Sequence, residues 1–214
     1  MQIYCFMLRK ACVLSLFAVL ILSGCASQDM TQSGFLSNYA ELRQPDDDKS
    51  EATAINSQAS FSQYTHAMIM PVAYVGKTQD ESERQDYQEL VRSIEKNLQE
   101  KFAQRFVLTT QPAPNVLIVR AALTDVTKAK PVVNILTTAV VGPLFNGGIS
   151  GEAEIVDSMT GTQLAALTYA DEGSVWRLNQ MSGSFSQMGH AEYLSGIFAK
   201  RVFELTQKSR ERVK

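Results

Sequence analysis

The chain has 214 residues, 45% of them hydrophobic, and its 20 Lys and Arg against 22 Asp and Glu give a formal charge of −2. That balance gives no reason to expect nucleic-acid binding, which needs clustered Lys and Arg. Two histidines and three cysteines leave little material for a metal centre or a thiol nucleophile.

At the N-terminus, Arg9 and Lys10 precede Ala11 to Leu22, a run that is apolar or small throughout except for Ser15. A bilayer span needs ~20 residues, so this run has instead the length and flanks of a secretory signal core, and a start at Met7 would keep both features. It ends in Leu22-Ser23-Gly24-Cys25, which resembles the lipobox of bacterial lipoproteins. The resemblance implies a diacylglyceryl group on the Cys25 thiol, cleavage before Cys25 and acylation of the new amine. Two acyl chains already anchor a protein stably. Ala26 stands where an Asp would resemble an inner-membrane retention signal, so the expected location is the outer membrane, facing the periplasm.

Three parts follow: residues 1–24 as signal peptide, 25–60 as a lipidated tether with a short amphipathic segment, and 61–214 as an α/β domain. Removing residues 1–24 takes two of the 20 basic residues and none of the 22 acidic ones, which leaves the mature chain at −4. Cys5 and Cys12 leave with the signal, so stability must come from a packed core rather than a disulfide. A body of about 150 residues buries ~70% of its unfolded surface, enough for one domain.

In the tether, Phe35, Leu36, Tyr39 and Leu42 fall on one face of a short helix. They are expected either to dock on the chain's own domain or to serve as a partner-binding peptide. Asp46, Asp47 and Asp48 open a solvated loop that runs to Ser60. Ala67 to Val75 has strand composition, and Pro71, which lacks a ladder donor, predicts a bulge or an edge there. Asp80 to Phe106 is helical, with Tyr87, Leu90, Val91, Ile94, Leu98 and Phe102 as its apolar stripe. Phe106 to Thr110 is a short strand, and Val116 to Val126, apolar on both alternating faces, belongs mid-sheet.

Pro131 to Ile149 is apolar, with no charge between Pro131 and Gly151. It reads either as core or as a contact surface carrying Val140, Val141, Leu144 and Phe145. Gly151 to Asp157 alternates Glu152 and Glu154 with Ala153 and Ile155, so one face is expected to meet water. Ser158 to Gly161 turns the chain into a second strand over Gln163 to Ala170. A Gly- and Ser-rich loop over 173–189 precedes an amphipathic helix from His190 to Lys208. The expected fold is a single layered α/β domain: a mixed sheet of about five strands with two amphipathic helices.

Candidate chemistry is sparse. His66 and His190 open separate elements with no second His or Cys near them in sequence. Gly148-Ile149-Ser150-Gly151 falls short of a nucleophile elbow, because Glu152 occupies the fifth position and a strand follows. Asp125, Asp157, Asp171 and Glu172 stand at strand ends, where acids usually bond nearby backbone amides; convergence in a cleft would instead favour a hydrolase. Trp176 lies in the long loop with Tyr169 and Phe185 on either side, as a core cover or a contact residue.

The Ser33-Gly34-Phe35-Leu36 start with Tyr39 and Leu42, the Arg120-to-Val126 strand, and Gly151-Glu152-Ala153 leading to Asp157-Ser158 and Thr160-Gly161 resemble, in that order, an uncharacterised family of proteobacterial lipoproteins whose domain has no known function. The resemblance runs from about Ser33 to the C-terminal helix and implies a Gram-negative envelope location, with no activity or catalytic residues. Two readings follow. One is a non-enzymatic binding or assembly factor with a membrane anchor, an envelope protein partner or self-association, no nucleic acid and no cofactor. The other is a carboxylate-dependent hydrolase of envelope polymers.

Overall fold

The structure, a computed structural model, describes residues 30, 32–46, 48–76, 81–127, 148–172 and 189–208. Among them are seven strands: β1 (Glu51–Ile55), β2 (His66–Ile69), β3 (Ala73–Tyr74), β4 (Val107–Leu108), β5 (Val116–Thr127), β6 (Gly148–Asp157) and β7 (Gln163–Glu172). Two helices, α1 (Glu81–Phe102) and α2 (Gly189–Leu205), complete the layers. The strand order is β1-β7-β6-β5-β2-β4, with β3 also on β5. Pairing is antiparallel from β1 to β5 and parallel where β2, β3 and β4 join.

The sheet thus has seven strands where the sequence predicts about five, within the same single α/β layer plan. Pro71 accounts for one addition. It splits the predicted strand so that Ile69 pairs with Val119 and Ala73 with Ala122, which leaves one extra residue between β2 and β3. The other is β1, in a stretch whose polar composition reads as loop. Its five residues pair with β7 from Glu51–Tyr169 to Ile55–Ala165, and tertiary pairing overrides that composition.

One face of the sheet carries the large core. Leu117, Val119, Ala121 and Leu123 of β5 line up with Ile155, Ala153, Leu167 and Tyr169 of β6 and β7. Onto them pack Tyr87, Leu90, Ile94, Leu98 and Phe102 of α1 and Leu194, Phe198, Val202 and Leu205 of α2. Gly151 suits this packing: a Cβ there would lie 3.0 Å from the Phe198 ring and 3.2 Å from the Ala122 carbonyl oxygen, so the ring would have to shift by a few tenths of an ångström to admit it. The β6–β7 hairpin turns at Gly161, whose φ of 69° lies in the region glycine adopts without cost.

Candidate functional site

Glu152 and Glu154 are two residues apart on β6, so both project from the sheet face opposite the helices. Register places Ala122 and Thr168 beside Glu152, and Arg120 and Ala166 beside Glu154. The predicted water-facing side of this strand is in fact covered: both glutamates are 0% exposed. The alternation correctly separates two faces. It cannot show that a remote segment lies over the polar one.

That segment is the strap formed by residues 32–43. The Ser33 amide and hydroxyl donate to Glu152 at 2.7 and 2.9 Å, and the Ser37 amide and hydroxyl donate to Glu154 at 2.8 and 2.9 Å. The Tyr39 hydroxyl donates to Glu152 and accepts the Gly34 and Leu36 amides at 2.9 and 3.1 Å. Glu154 further accepts Arg120 at 2.5 Å and Gln163 at 2.8 Å. Its four lone-pair sites thus face four donors. Such saturation is what lets a carboxylate stay buried, because an unpaired one would carry a large desolvation cost. Burial first, and then the Glu152 carboxylate, raise the Tyr39 hydroxyl above its ordinary value.

The helix predicted over this segment does not form. Gly34 sits at a φ of 87°, outside helical space, and the segment runs as bends and a turn, with the Gly34 and Leu36 amides bonded to the Tyr39 hydroxyl and the Ser37 amide to Glu154. Leu36 is 5% exposed against Ala54 and Ala166, and Phe35, Tyr39 and Leu42 pack around it, half-buried. The Arg120 guanidinium lies 5.2 Å from the Phe35 ring centroid. The strap ends where Arg43 exchanges two 2.9 Å backbone hydrogen bonds with Thr53 of β1.

The strand-end acids do not converge as a set. Asp157 pairs with Leu117 at one end of the sheet, whereas Asp125 and Asp171 pair with Ser150 and Ile149 at the other. Asp157 forms its own turn, accepting the Met159 and Thr160 amides and the Thr160 and Tyr64 hydroxyls. Burial alone would raise its pKa, but these hydrogen bonds outweigh it and the net shift is downward. Burial and the same Asp157 push the Tyr64 hydroxyl up to about 12. Asp171 accepts the Tyr169 hydroxyl at 3.0 Å.

His66 Nδ1 lies 2.8 Å from the Thr65 hydroxyl and 3.1 Å from the Asn115 side chain. Ser150 is buried within β6, which excludes a nucleophile elbow there. Among the described residues, no group of three His, Cys, Asp or Glu is arranged to hold a metal ion. No described helix is long and apolar enough to cross a membrane. Cys25, Val140, Val141, Leu144, Phe145 and Trp176 lie outside the described residues, as do the side chains of Glu172 and His190. A second cluster, invisible in sequence spacing, ties the start of β1 to α2: Arg201 bonds Asp48 at 3.1 Å and Glu51 at 3.5 Å, and Lys208 reaches Glu51 at 3.5 Å.

The profile of a family described as a protein of unknown function, DUF3313, matches residues 31–202. An uncharacterised lipoprotein of Escherichia coli, YdcL, is 32% identical over 126 residues, which are 55% of this chain and 56% of that protein. The chain therefore spans about half the length of the curated relatives it matches. Among solved structures, the PelC dodecamer from Paraburkholderia phytofirmans is similar at a TM-score of 0.43 and 9% identity, over 75% of this chain and 98% of that one. Lipoprotein GNA1162 from Neisseria meningitidis reaches 0.33 at 13% identity, over 68% of this chain and 98% of that one. Likenesses this loose carry no argument about function.

Proposed function

Because the chain belongs to the family of unknown function DUF3313, an uncharacterised family of proteobacterial lipoproteins, we propose that it is a lipid-anchored, non-enzymatic binding or assembly factor on the periplasmic side of the outer membrane. In this reading Cys25 carries the acyl chains. The observation that carries the non-enzymatic part is the occupancy of Glu152 and Glu154. The described residues' two fully buried glutamates are taken up by the chain's own Ser33, Ser37, Tyr39, Arg120 and Gln163. Carboxylates so occupied are poorly placed to move a proton on a substrate. The uncharged stretch from Pro131 to Phe145, with Val140, Val141, Leu144 and Phe145, supplies the surface for an envelope protein partner or a second copy.

Crosslinking in intact envelopes tests this reading. The Val140→Asp and Leu144→Asp variants are expected to keep the wild-type melting temperature and lose the crosslinked species that the wild type forms. A strongly lowered melting temperature in both would place the segment in the core and remove the contact surface. Release of soluble fragments from envelope polysaccharide by the wild type, abolished in Asp125→Asn, would establish a hydrolase instead.

A further inference from the structure

The strap is attached to the sheet in an unusual way. Its only backbone pairing with a strand, among the described residues, is the Arg43–Thr53 bridge at its far end. From Ser33 to Leu42 it is held by hydrogen bonds to side-chain carboxylates, by one buried apolar side chain, Leu36, and by Phe35, Tyr39 and Leu42 half-buried around it. Ser33 and Ser37 are themselves exposed. Segments with few buried apolar contacts open at low free energy while the core stays folded. Opening here also returns two buried carboxylates to water, and that hydration offsets the hydrogen bonds lost. The strap is therefore nearer an open–closed balance than a strand built into the ladder would be.

Its place in the chain gives the balance a consequence. Ser33 is eight residues after Cys25, a step that reaches at most about 28 Å when fully extended. The strap runs along β6 from Glu152 toward Glu154, so a pull from Cys25 reaches the weak contact of Met30, whose sulfur accepts the Thr168 hydroxyl at 3.6 Å, then Ser33 and then Ser37, and stops at the Arg43–Thr53 bridge. We propose that residues 33–42 are a releasable leash, latched on Glu152 and Glu154, that sets how far the domain stands from the membrane. Released and fully extended, these ten residues span at most about 35 Å, and the reach gained is that length less the distance they already cover when latched. Latched, the domain is confined near the lipid surface; unlatched, it reaches partners well away from it. The membrane half of this inference rests on acylation of Cys25, whereas the latch itself does not.

Native-state hydrogen exchange on the full mature chain tests the latch. The amides of Ser33, Gly34, Leu36 and Ser37 are expected to exchange through an opening that leaves β5, β6 and α1 protected; exchange of these amides only on global unfolding overturns the proposal. Vesicles containing an acceptor lipid test the reach, with a donor dye at Met159→Cys on the exposed hairpin turn, 61% exposed. The combined Ser33→Ala, Ser37→Ala and Tyr39→Phe variant is expected to show lower energy transfer than the latched chain. Equal transfer in a variant whose strap amides are unprotected overturns the leash. An acylation-competent chain that never binds vesicles overturns the anchor reading and leaves the exchange result standing.

Discussion

The two faces of the sheet are held by different physics. The helix-covered face is apolar: Leu98, Phe102, Leu117, Ile155, Leu194 and Phe198 are all fully buried in one continuous cluster. The strap-covered face is lined by Ala54, Ala122, Ala166, Thr168, Glu152 and Glu154, and only Leu36 from the strap is buried against it. Burial of large side chains is non-directional and contributes ~1.5–3 kcal/mol for each. The carboxylate latch gains only the difference between protein and water hydrogen bonds, about 0.5–1.5 kcal/mol each, or up to ~3 kcal/mol where a charge is involved. The first face accordingly sets whether the domain folds, and the second sets what lies over it.

The largest effect expected to separate them is Phe198→Ala. It opens a cavity beside Gly151 and Tyr169 and should cost about 3–5 kcal/mol of global stability, read as a loss in the unfolding midpoint in denaturant. Arg120→Met keeps much of the side chain over Phe35 but removes the donor to Glu154. Its expected cost of about 1–3 kcal/mol should appear first as lost amide protection at Ser37, with a smaller change in the global midpoint. Equal loss at Ser37 and in the core would mean that the two faces unfold as one unit.

The smallest effect comes from Asp157, at the sheet end away from Asp125 and Asp171. Its pKa is depressed in the folded chain, so its contribution is present above the unfolded value of about 3.9 and is lost as the pH falls through the folded value. Wild type should therefore be more stable than Asp157→Asn at pH 6, and the gap should close as the pH is lowered below the unfolded value. A gap that persists unchanged at low pH would show that the carboxylate's ionisation is not what supports the turn. Tyr64 acts at the other extreme: its pKa is raised to about 12, so its share of stability is complete below pH ~10 and lost as the pH rises through the folded value.

Local pattern by itself determined much of this protein. The stripe from Tyr87 to Phe102 specifies α1, because 3.6-residue periodicity brings those side chains onto one face whatever that face meets. The double-sided apolar run of Val116 to Val126 specifies a central strand, and Gly161 after Asp157 specifies the hairpin. Pro71 announces the break between β2 and β3. These features rest on interactions within a few residues, or on a hydrophobic face that needs no particular partner. The tertiary structure alone decided the burial of Glu152 and Glu154, the inclusion of Glu51–Ile55 as a strand and the non-helical course of Phe35–Leu42. Each depends on a partner about 110 to 120 residues away in sequence: Ser33 for Glu152, Tyr169 for Glu51 and Glu154 for Ser37. A glutamate in an alternating strand looks the same whether water or a serine amide will donate to its carboxylate, and only the folded chain supplies the amide.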